Sequence, residues 1–156
     1  MNYRAVGLDP EIFAPFFTMS DDELRVRGAT RMIADRGGAY PCRVSLKRAD
    51  KGEELVLVNH EHRTAPHSPY RARGPIFVSR AATEKREYVG ELPPMMREVM
   101  LSLRAYDERG FLVEGEICEG PYADRVLRRM LSDEKVAEVH AHFARQGCFA
   151  ARFTRA

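Results

Sequence analysis

Four of the five histidines stand in two His-x-His pairs, His60-Glu-His62 and His140-Ala-His142. In an extended chain alternate side chains project to the same side, so each pair offers two imidazoles from one face. Two such strands lying side by side supply three or four nitrogen ligands to a metal ion, and His62, His140 and His142 are the candidates. An objection comes from the residues around the second pair. The C-terminal segment from Val136 to Phe153 alternates with period two on both sides of a turn containing Gly147, which predicts a hairpin. Setting apolar opposite apolar pairs Phe143 with Phe149, His142 with Ala150 and His140 with Arg152. A fixed positive charge then sits about 5 Å from any bound cation.

The same arginine favours another reading, which ranks first on the sequence. Arg71, Arg104 and Arg152, with Tyr70, Tyr106 and His140, form a candidate site for a small anion carrying phosphate or carboxylate. Guanidinium forks and imidazole donors suit such a group. Arg73 belongs to the same basic loop. His62 or His142 would act as acid or base if a reaction occurs there. A third reading makes Cys148 a nucleophile, since it lies near His142, and Cys42 stands beside Arg43. No nucleophile signature surrounds either thiol. Against all three stands a plain structural or partner-binding domain, in which each arginine pairs with a carboxylate and the cysteines pack. No cofactor is expected on the anion reading.

The elements that must position these residues are short. Asn2–Leu8 reads as an opening strand, and Asp9-Pro10 as a cap followed by a helix disturbed by Pro15. Ser20-Asp-Asp-Glu23 is a capping box that starts a second short helix, ending near Gly28. Strands are predicted over Thr30–Ala34, Val44–Lys47, Leu55–His62 and Gly74–Val78, and Ser79–Glu91 reads as a charged, irregular excursion. Pro93-Pro94 opens a short helix over Met95–Val99. Leu101–Asp107 and Phe111–Cys118 form a hairpin across Glu108-Arg-Gly110, with Arg104 opposite Glu114 as a cross-strand ion pair. From Gly120-Pro121 a helix runs with Ala123, Val126, Leu127, Met130 and Leu131 in one apolar stripe. The expectation is one α+β domain over residues 1–156, mainly antiparallel sheet with short covering helices.

Composition narrows the classes. The chain has 156 residues and net charge +2, enough for a core and too little charge to argue for nucleic acid. Arginine supplies nearly all the positive charge, with lysine only at positions 47, 51, 85 and 135. No apolar run approaches the roughly 18 residues of a membrane span, and no secretory signal opens the chain. Three widely spaced cysteines make neither a disulfide framework nor a zinc ribbon. A cytoplasmic protein is expected, with no nucleic-acid or membrane partner and with its oligomeric state left open.

Pro41-Cys-Arg43, Glu61-His62, Ser68-Pro-Tyr-Arg71, Gly74-Pro-Ile-Phe-Val78, Leu103-Arg-Ala-Tyr-Asp107 and His140-Ala-His142 with Gly147-Cys148 resemble an uncharacterised bacterial family known only as a domain of unknown function. The resemblance covers nearly the whole chain and implies a bacterial, cytosolic protein without an established activity. This chain departs from the family pattern in having His60 in place of an aromatic residue and Phe143 in place of Asn. Cupin barrels also bind metal through His-x-His strands, but their pattern needs a Glu and a Gly after the first pair, and this chain lacks both.

Overall fold

The alternation of apolar residues in the C-terminal half builds the larger of two sheets. The computed structural model describes residues 1–156 and is α+β, mainly antiparallel. Its strands are β1 (Tyr3–Val6), β2 (Ala29–Ile33), β3 (Glu54–Arg63), β4 (Ala72–Ser79), β5 (Glu87–Val89), β6 (Met100–Tyr106), β7 (Leu112–Glu119), β8 (Glu138–Phe143) and β9 (Phe149–Arg155). The helices are α1 (Asp21–Val26) and α2 (Gly120–Ser132), with short 3-10 turns at Pro10–Ile12, Ala14–Thr18 and Pro94–Met96. The six-stranded sheet runs β5-β1-β9-β8-β6-β7, and the three-stranded sheet runs β2-β3-β4. No helix is long and apolar enough to cross a membrane.

One face of the large sheet carries Leu101, Leu103, Ala105, Val139, Ala141 and Phe153, and α2 covers it. Ala123, Val126, Leu127, Met130 and Leu131 of α2 are buried there. Each large side chain removed from water in this way contributes roughly 1.5–3 kcal/mol. The small sheet packs its own core, Val56, Val58, Ile76 and Val78, against Phe13, Phe17 and Leu24. Ser20 and Glu23 cap α1 reciprocally, which holds Leu24 in that core.

Several expectations are corrected. The segment Val44–Lys47 is a turn and not a strand. The Leu46 N–H bonds the Cys42 carbonyl at 2.9 Å, and Leu46 takes a left-handed φ of 56°. The helix after Pro93 is a single 3-10 turn, because β6 already begins at Met100. The excursion from Ser79 to Glu91 contains β5, paired with β1. In the β6–β7 hairpin Arg104 stands opposite Gly115, and Glu114 opposite Ala105. A one-residue bulge next to the turn causes that shift, and Glu114 pairs with Arg129 of α2 instead.

The final hairpin departs from its predicted register in one place. Val139 pairs with Phe153, His140 with Arg152 and Ala141 with Ala151, as the alternation requires. A bulge then makes Ala150 the extra residue, so His142 faces Phe149 and not Ala150. Phe143 lies in the core beneath α2, whereas Phe149 belongs to the core of the small sheet. The matched Phe143–Phe149 pair therefore does not form. His140, His142 and Arg152 share a face without it, because β8 alternates regularly against β6 and Arg152 pairs with His140 on the unbulged side.

Candidate metal centre

The uncovered face of the large sheet presents three rows to the small sheet. Tyr106 stands opposite Glu138, Arg104 opposite His140, and Ser102 opposite His142. Across from them β3 changes character at its end. Asn59 and Glu61 point outward to Arg73 and Arg71, while His60 packs its ring against Phe13 at 5.3 Å. His62 continues the inward face at a bulge between Glu61 and Arg63. Bulges re-aim a side chain, and here the ring stacks flat on Phe149 with centroids 4.9 Å apart.

Three imidazoles from the two sheets thus converge. Ligand nitrogens of His62, His140 and His142 lie within 4.8 Å of one another. His140 and His142 are almost wholly buried, and His62 is partly so. His142 Nδ1 lies 3.0 Å from the Gly147 carbonyl, which can only accept, so the proton sits on Nδ1 and the Nε2 lone pair is free. His142 Nε2, His62 Nδ1 and both ring nitrogens of His140 are buried without a hydrogen-bond partner. Buried polar atoms are ordinarily satisfied, so four such atoms in one place call for a ligand.

Electrostatics favour the neutral rings. Burial pushes the His62 pKa down to about 3, with His142 and His140 adding to the effect. Burial also lowers His142 to about 4, against the pull of the Gly147 hydrogen bond and with the help of Arg104. His140 is lowered by burial as well, with Glu138 opposing. His140 Nε2 lies 3.2 Å from Glu138 Oε1, close enough for charge attraction but off the direction a hydrogen bond needs.

Glu138 anchors the wall beside the imidazoles. Burial would raise its carboxyl, but His140 and Arg152 outweigh that and hold it near 2. Arg63, in direct contact with the same carboxylate, acts in the same sense. The Arg63 guanidinium lies 3.8 Å above the Tyr106 ring and donates to the Gly110 carbonyl at 2.8 Å. Gly110 has φ 81°, and a Cβ there would stand 2.8 Å from that guanidinium, so the position requires glycine.

The sequence candidates separate accordingly. Together at the centre are His62, His140 and His142, bordered by Arg104, Tyr106 and Arg152. Arg152 shares the Glu138 carboxylate with Arg63, and its exposed guanidinium is screened by solvent, so its charge on the cluster is reduced but not cancelled. Arg71 is exposed and paired with Glu61 at 2.6 Å, and Tyr70 is exposed with its ring against Tyr106 and Phe111. Arg73 points outward and is held by Asn59, whereas Arg104 borders the centre without a carboxylate, its one hydrogen bond going to Ser102 Oγ at 3.3 Å. Cys148 packs on the opposite side of the hairpin, 3.3 Å from Arg43, away from the imidazoles. All three cysteines are free thiols. Sequence reasoning missed Arg63, Phe149 and Glu138. For Glu138 the signal was present, since it precedes His140 by two residues and must share its face.

The model of the family described as "Protein of unknown function (DUF1203)" matches residues 39–155. The chain belongs to this family. Every residue of the centre named above falls within the matched range, whereas β1, α1 and β2 precede it. Neither the comparison with curated proteins nor that with solved structures found a match.

Proposed function

We propose that this protein binds a divalent transition metal through His62, His140 and His142, leaving coordination positions open to a small ligand. The observation that carries the reading is the set of unpartnered, buried nitrogens from three neutral imidazoles. Ligating imidazoles must be neutral, and pKa values of about 3 and 4 for His62 and His142 leave no proton to displace at neutral pH. The same values make these rings poor acid–base catalysts at pH 7, where a group titrating near 7 works best.

The outer partners fit as well. A ligating His usually gives its second nitrogen to a carbonyl or carboxylate. Gly147 takes that part for His142, and Glu138 lies on the Nε2 side of His140, leaving Nδ1 free. Tetrahedral zinc at 2.0–2.1 Å places its nitrogens about 3.4 Å apart, so a 4.8 Å cluster closes on metal by small ring rotations. The ligands come from two facing sheets and not from neighbouring strands of one. The Arg152 charge that argued against metal is weakened, since that guanidinium is exposed to solvent and held against Glu138, which it shares with Arg63.

The anion reading survives at one residue. Arg104, opposite His140 and without a carboxylate, suits a phosphate or carboxylate placed at the open positions. The test is elemental analysis of protein purified without chelator, followed by Co2+ titration of the stripped protein. The expected result is one metal per chain and a tetrahedral or five-coordinate Co2+ spectrum, lost in His140→Ala and His142→Ala. A stripped protein that takes up no Co2+, Zn2+ or Fe2+ would overturn the reading.

A further inference from the structure

A cleft of about 850 Å³ lies apart from the three histidines, none of which lines it. It opens on the other side of the Cys148-Phe149 segment, between the outer face of the small sheet and the ends of β6 and β8. Leu57, Phe77, Met100 and Phe143 supply much of its apolar lining. That volume lies in the range of small-molecule sites. Its charge distribution is unusual.

Arg43 lines the cleft, is 1% exposed, and pairs with no carboxylate. It donates to the carbonyls of Phe149 and Pro41 at 2.8 and 2.6 Å and to Cys148 Sγ at 3.3 Å. Burial lowers its pKa to about 10, so it remains a cation at neutral pH. A guanidinium held out of water without a counter-ion leaves a positive potential in the space it faces. Arg48 and Arg145 line the same space, and neither forms an ion pair. Arg48 instead lies over the Phe143 ring at 5.8 Å and reaches the Met95 carbonyl at 3.3 Å.

The N-terminus of α2, a 13-residue helix without a side-chain cap, also opens here through Gly120 and Pro121. It adjoins Glu119, so its partial positive charge is offset there and does not add to the arginine end. Glu98 and Glu119 are the acidic residues of the lining, and they sit at the β6–β7 end. The arginines come from the loop after Pro41 and from the β8–β9 turn. The cleft is therefore polarised, positive at one end over an apolar floor.

We propose that this cleft is a second binding site, for an organic anion with an apolar body, whose carboxylate or phosphate group is held by Arg48 and Arg145. Arg43 sets the field from behind. Cys148 in the wall becomes covered when the ligand is in place.

Octanoate, octyl phosphate, octanamide and acetate form the test set, read by isothermal titration and by the rate at which N-ethylmaleimide labels the Cys148 peptide. Octanoate or octyl phosphate should bind and slow Cys148 labelling several-fold, and the preferred head group separates carboxylate from phosphate ligands. Octanamide and acetate should bind at least tenfold more weakly, since one lacks the charge and the other the apolar body. Arg48→Gln with Arg145→Gln should lose tenfold or more in affinity for the anion, while Glu119→Gln should gain. His62→Ala should bind as the wild type does, which separates this site from the metal centre. Equal binding of octanamide and octanoate, undiminished binding by the double arginine variant, or no binding of either octyl anion would overturn the proposal. Circular dichroism of each variant confirms that lost affinity is not lost fold.

Discussion

Replacing His62 by glutamine should flatten the acid side of the protein's stability profile. The imidazole has an ordinary pKa of 6.5 and is held near 3 in the folded chain. Below pH 6.5 the unfolded chain takes up a proton that the folded chain refuses, so acid favours unfolding. One such group removes about 1.4 kcal/mol of stability per pH unit across that window. His142, held near 4, adds a similar slope over its own interval. His62 keeps some solvent contact, and screening brings its share down toward about 1 kcal/mol per unit. From pH 6.5 to 4.5 the two rings together remove roughly 4–5 kcal/mol, close to the whole stability of a marginal domain. Glu138 acts in a lower window. Its carboxyl is held near 2, so its contribution is lost only as pH falls from 4.5 toward 2. The assay is urea unfolding at half-unit steps from pH 7 to 4.5 in the presence of chelator. In His62→Gln the slope should fall by about 1 kcal/mol per unit. A wild-type profile that is level across this range, or a variant that keeps the full slope, would refute the description of these rings as neutral and buried.

Other substitutions test the surroundings. Glu138→Gln leaves the buried Arg63 guanidinium without its counter-ion and should cost about 3–5 kcal/mol in urea unfolding; a loss below 1 would contradict the pairing. Leu127→Ala, beneath the large sheet, should cost about 2–5 kcal/mol in the same measurement. Gly110→Ala puts a methyl group 2.5 Å from Ala65 Cβ at a left-handed position, and should lower the melting temperature by the equivalent of roughly 1–3 kcal/mol. Arg71→Ala breaks only an exposed pair, so stability should change by less than about 1 kcal/mol, with Co2+ titration unchanged.

Much of the fold was legible because periodicity survives wherever one face is buried. The stripe on α2, the capping box at Ser20 and the pairs His140–Arg152 and Ala141–Ala151 all follow from spacing. The bulges at His62, Ala150 and Val113 were not legible, since an extra residue is settled by three-dimensional packing that alternation does not encode. They caused the misplacement of Phe149, Cys148 and Arg104. Likewise, the sequence could name four arginines near the histidines but not their partners. Glu61 and Glu138 pair with two of them and Asn59 holds Arg73, and only contacts across the fold reveal Arg104 as the one left facing the histidines with a single hydrogen bond, to Ser102.

The extra residue in β9 has a genetic consequence. Alternation makes the side of the hairpin on which a residue falls a matter of counting, and Ala150 changes the count by one. An in-frame loss of that single codon would leave a regular ladder, with Ala151 still opposite Ala141 and Phe149 still opposite His142. A change that closed the bulge with Ala150 kept would act differently, since Ala150 would then face His142 and Phe149 would turn toward Phe143. Cys148 would come round to the histidine side, and a ring that only packs would give way to a thiol, itself a good ligand for zinc. The donor set could then be rewritten with every histidine left untouched.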